Sequence, residues 1–76
     1  MTSEATKLIN LGKNIKIARR LKNLSQNALA EKLDISREHL AKIETAKRCV
    51  SLKLLFKICE ILGITESEIF SLSVYK

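Results

Sequence analysis

The chain has 76 residues, enough for one small domain around a single core. It has no Pro, two Gly and three aromatic residues, which favours helices over sheets and a core of Leu and Ile. A net charge of +6 favours a polyanionic partner, and one His with two Cys ten residues apart does not make a zinc pattern. The charge is uneven. Residues 1–24 hold six Lys/Arg against one Glu, residues 25–48 hold five against four, and residues 49–76 hold three against three. The basic surface therefore comes mainly from the start of the chain.

Residues 1–10 read as an N-terminal arm leading into the first helix, with Thr2 or Ser3 as a cap for an early start. The first helix is expected over residues 11–22. Leu11, Ile15 and Ala18 give its core stripe, Lys13, Lys16, Arg20 and Lys22 point outward, and Asn23 is a left-handed stop. Ile17 and Leu21 form a second apolar pair that the C-terminal tail is expected to cover. Ser25 opens a helix over residues 26–33 with Leu29, Ala30 and Leu33 on one side. Asp34-Ile35-Ser36 is long enough only for a turn, and Ile35 is expected to tuck beneath both neighbouring helices. Ser36 opens the next helix, residues 37–45, with Leu40 and Ile43 inward and Arg37, Glu38, Ala41, Lys42 and Thr45 outward. Such a two-helix unit, with one apolar side and one donor-rich side, suits insertion into a DNA major groove.

Residues 46–50 form a basic loop. Ser51 caps a fourth helix over residues 52–62. Leu52, Leu55, Cys59 and Leu62 are its core stripe, with Ile58 alongside, while Leu54, Phe56 and Ile61 widen its apolar surface. Gly63 stops it and Ile64 packs behind. Thr65 caps a last short helix, residues 66–70, in which Ile69 and Phe70 are expected to be buried. Cys59 is expected to be a buried small hydrophobe and Cys49 a loop thiol. The expected fold is all-α, a compact five-helix bundle in one domain, residues 1–76. Its core is 11–70, with an arm at 1–10 and a tail at 71–76.

The segment from Ser25 to Thr45 resembles the helix-turn-helix of the lambda-repressor/Cro-like (Xre-type) family. Arg19 before it, Glu44 at its end, the stretch SLKLLFKICEILGI and the final ESEIF fall where that family has similar residues. Three positions depart from the family pattern, which has Gly at Asp34 and Ala46 and often Pro near Val50. Asp tolerates the left-handed conformation. Ala46 is less comfortable if the backbone there needs positive φ.

The resemblance implies a sequence-specific DNA-binding transcriptional regulator: a small stand-alone repressor or controller that binds an inverted-repeat operator as a homodimer. It implies base reading by Arg37, Glu38 and Lys42. Gln26, Ser36, His39, Lys47 and Arg48 would contact phosphate and backbone, and an ion pair would join Arg19 to Glu44. Glu38 can instead pair with Lys42 one turn on and orient it. The apolar residues left once the core is filled, Leu54, Ile61, Ile69, Leu72, Val74 and Tyr75, would form the dimer interface. The rival reading is a protein–protein interaction module on the same scaffold, antitoxin-like. No carboxylate pair or Gly-rich phosphate loop accompanies His39, so no enzyme, cofactor or metal is expected, and with no room for a ligand-sensing domain no small-molecule effector is expected. With no signal peptide or long apolar run, a cytoplasmic protein without membrane contact is expected.

Overall fold

The computed structural model describes residues 3–71. Five helices follow one another: α1 (Glu4–Leu21), α2 (Gln26–Leu33), α3 (Arg37–Glu44), α4 (Leu52–Leu62) and α5 (Glu66–Ser71). Each start is fixed by a hydroxyl. The side chains of Ser3, Ser25, Ser36 and Ser51 accept from the backbone N–H groups of Thr6, Ala28, His39 and Leu54, satisfying donors that a helix start leaves open. At α5 the cap is reciprocal. Thr65 Oγ1 accepts from the Glu68 N–H, and Glu68 Oε1 accepts from the Thr65 N–H at 2.8 Å, a capping box.

The first four helices also stop in the same way. Asn23, Asp34, Ala46 and Gly63 all have φ between 58 and 69°. In each case the following N–H reaches back to a carbonyl in the last turn: Leu24 to Arg19, Ile35 to Ala30, Lys47 to Lys42 and Ile64 to Cys59. These are Schellman-type stops. Three of the four are followed by an apolar residue, Leu24, Ile35 or Ile64, that packs against the core. The turn at Ala46 is followed by Lys47, which is exposed. Ala46 therefore occupies the left-handed region despite its Cβ.

The core gathers one stripe from every helix: Leu11, Ile15 and Ala18; Leu29, Ala30 and Leu33; Leu40 and Ile43; Leu55, Ile58, Cys59 and Leu62; and Ile69. Burial, and then the facing Glu66 carboxylate, push the Cys59 thiol upward, so it packs as a neutral group. Cys49 is an exposed thiol.

Five expectations are corrected. Residues 4–10 are not an arm but the first turns of α1. Ser3 caps them, Glu4 sits at the positive end, and half-buried Leu8 lines a seam with Gly12, Ile43 and Val50. Leu52 is 65% exposed. It is the first residue of α4, ahead of the stripe that begins at Leu55. Phe70 is 55% exposed while Ile69 is fully enclosed, because adjacent residues point about 100° apart and this short helix has one buried side. Ile69 is therefore a core residue, not part of an interface. Ser71 belongs to α5, so the tail begins after it. Ile17 is half-buried and Leu21 is 72% exposed. Their expected partner, the tail with Leu72, Val74 and Tyr75, lies outside the described residues.

Candidate nucleic-acid interface

The outward side of α3 follows from its periodicity. Leu40, Ile43 and Glu44 are buried, which leaves Arg37, Glu38, Ala41, Lys42 and Thr45 to line one shallow, open concavity together with Lys47. Arg37, Glu38 and Lys42, expected to read bases, are thus brought together. Thr45 Oγ1 donates to the Ala41 carbonyl at 2.8 Å, which leaves its oxygen free to accept. Among the described residues no ion pair joins Glu38 to Lys42; the one pair there is Arg19–Glu44. The charged ends on this side are therefore not neutralised within the protein.

Of the residues expected at the backbone, only Lys47 lines that concavity. Ser36 is committed as the α3 cap. His39 is half-buried and lines a separate depression with Leu33, Ile35 and Leu54 that Lys53 and Lys57 border. Lys47 belongs to the concavity itself. Arg48 turns the other way, into the seam with Leu8, Leu11 and Gly12.

A buried network positions α3. Arg19 Nε donates to Glu44 Oε2 at 2.7 Å and Nη2 to Oε1 at 3.2 Å, a two-pronged pair. Nη1 donates to the Leu24 carbonyl at 2.7 Å, and Gln26 Nε2 donates to Glu44 Oε1 at 3.0 Å. One carboxylate thus joins the end of α1, the first residue of α2 and the end of α3. The side chain of Glu44 is 1% exposed and that of Arg19 7%, so each charge depends on the other for compensation. Gln26, expected as a phosphate contact, is part of this network.

Two further positioning residues were not anticipated. A Cβ at Gly12 would lie 2.6 Å from the Ile43 carbonyl oxygen and 2.7 Å from that of Glu44. Glycine therefore lets α1 touch the end of α3 backbone to backbone. Asn14 is fully buried on α1, and its Nδ2 donates to the Ile69 carbonyl at 2.8 Å, tying α5 to α1. A polar residue amid the apolar positions Leu11, Ile15 and Ala18 was the available signal for Asn14. Nothing local marked Gly12, because its neighbour is 31 residues away in sequence.

No group of His, Cys, Asp and Glu among the described residues is arranged to hold a metal, and no helix there is long and apolar enough to cross a membrane. The sequence profile of the helix-turn-helix family matches residues 15–69. An uncharacterized HTH-type transcriptional regulator of Methanocaldococcus jannaschii is 45% identical over 56 residues, 74% of this chain and 85% of that protein. The control protein C.MunI of a Mycoplasma species is 45% identical over 64 residues, 83% of this chain and 86% of that protein. Among solved structures, the restriction-modification controller protein C.AhdI of Aeromonas hydrophila superposes with a TM-score of 0.77 at 31% identity. That match covers 82% of this chain and 94% of the controller. With the capped helix pair, the buried Arg19–Glu44 link and the polar face of α3 in place, the chain belongs to the Xre/lambda-repressor-like helix-turn-helix family.

Proposed function

We propose that this chain is a cytoplasmic transcriptional regulator that binds an inverted-repeat DNA operator as a homodimer, in the manner of a small controller protein. The observation that carries the reading is the concavity on α3, where Arg37, Glu38, Lys42 and Thr45 stand together without internal ion pairing. Arg37 lies at the N-terminal end of α3, the end that enters the groove. Its planar fork matches guanine O6 and N7, Lys42 supplies a second donor, and Glu38 accepts from cytosine N4. The similarity to controller proteins supports the regulatory role.

Dimerisation rests on exposed apolar surface. Leu52, Phe56 and Phe70 are between 49 and 65% exposed. Cys59 of α4 faces Glu66 of α5, and Phe56 stands one turn before Cys59 on α4. In this reading the two-fold contact forms there, with α4 and α5 of each chain. Leu54 and Ile61 are half-buried and pack against the protein's own core, so they contribute less.

Selection from randomised duplexes, followed by sedimentation of the complex, tests the proposal. The expected product is an inverted repeat with half-site centres about 34 Å apart, bound by two chains. Failure to enrich any sequence, with salt-insensitive retention, favours the protein-interaction reading instead.

A further inference from the structure

We propose that Lys13, Lys16 and Arg20 on α1 form a second polyanion-binding strip, which holds the phosphodiester backbone flanking the bases read by α3. The inference rests on the DNA reading above and extends the contact beyond the helix-turn-helix. All three side chains are exposed. They are spaced i, i+3 and i+7 on one helix, so neighbouring like charges repel across adjacent turns. The sequence offers no relief, since no Asp or Glu occurs between Glu4 and Glu31. The one ion pair among the described residues uses Arg19 instead. The fold therefore keeps a repulsive stripe that its own packing does not require.

The position of the strip gives it a ligand. Gly12 meets the backbone at the end of α3. Lys16 is one turn further along α1 and only about 40° around the helix axis from Gly12, and Arg20 follows one turn later. Arg48 lines the seam of Leu8 and Gly12. Lys16 and Arg48 thus lie beside the C-terminal end of α3, while Arg37 occupies its N-terminal end. A duplex seated on α3 carries phosphates past both ends, and backbone contacts set register without reading sequence.

The test compares wild type with the combined variant Lys13→Gln, Lys16→Gln and Arg20→Gln. Thermal unfolding of the variant should match wild type or rise slightly, because the residues are exposed and the deleted charges repel one another. Binding is measured against salt on a selected duplex, both with and without six-base-pair flanks. In the variant, the log K versus log salt slope should become shallower by about 0.9 for each phosphate that is no longer neutralised, roughly two to three per chain. The ratio of selected to scrambled affinity should be unchanged. Wild type should lose affinity on the trimmed duplex while the variant does not. An unchanged slope in a variant that still binds overturns the strip and leaves the DNA reading intact. A wild type that binds no duplex overturns the DNA reading and the strip with it.

Discussion

The two sides of α3 are built on opposite rules. On the inner side, Glu44 is buried and every polar contact is made within the protein, to Arg19 and Gln26. On the outer side, Arg37, Glu38 and Lys42 are exposed and none is ion-paired among the described residues. Eight residues thus contain both a fixed anchor and an open surface. A charge that is enclosed has to be satisfied by the fold, whereas a charge left open can be satisfied by a partner. The anchor determines where the open side points, so damage to it should affect folding first and binding second.

The largest effect separates two glutamates of the same helix. Glu44→Ala leaves the Arg19 guanidinium buried without its carboxylate, and should cost about 3–5 kcal/mol. For a domain of this size that is a drop in Tm on the order of 10–20 °C or more. Glu38→Ala, on the outer side, should change stability by no more than about 0.5 kcal/mol. Equal destabilisation in thermal unfolding would erase the distinction between the two sides. Next comes Gly12→Ala. A methyl group within 2.7 Å of two backbone oxygens forces α1 away from α3 and should cost about 1–3 kcal/mol, as overpacking does. An unchanged unfolding midpoint would mean that the two helices separate freely, against a rigid anchor. The smallest effect has the opposite sign. Ala46 holds φ at 61°, so Ala46→Gly removes a steric penalty of about 1 kcal/mol against a Gly entropy cost of similar order. The expected outcome in denaturant is a net gain of a few tenths of a kcal/mol. A clear decrease would show that the turn after α3 carries no strain.

What could be read in the sequence followed local rules. Serine caps, left-handed stops at Asn23 and Gly63, and the stripes of α2 and α3 depend on residues within a few positions of one another. The errors arose where the third dimension decides. Leu52 matches the α4 stripe by spacing, but it stands at a helix start and is largely exposed. Phe70 and Ile69 are equally apolar, and only the packing of α5 selects one of them. The outward side of α3 was legible because its polar residues recur with the helical period. The Arg19–Glu44 pair came from family resemblance, since 25 residues separate the partners. The share of Gln26 in that pair, and the close approach at Gly12, depend on how α1 and α2 meet the end of α3.

In the proposed reading, the outer side of α3 reads sequence while its surroundings hold the backbone. The direct test is a salt titration of binding for wild type, Arg37→Ala and Lys47→Ala, on the selected duplex and a scrambled one. Arg37→Ala should lose about 1–3 kcal/mol on the selected duplex and much less on the scrambled one. Lys47→Ala should weaken both duplexes alike and make the salt slope shallower by about 0.9 per half-site. If Arg37→Ala lowers affinity equally on both duplexes, Arg37 holds phosphate, and the outer side of α3 does not read bases through it.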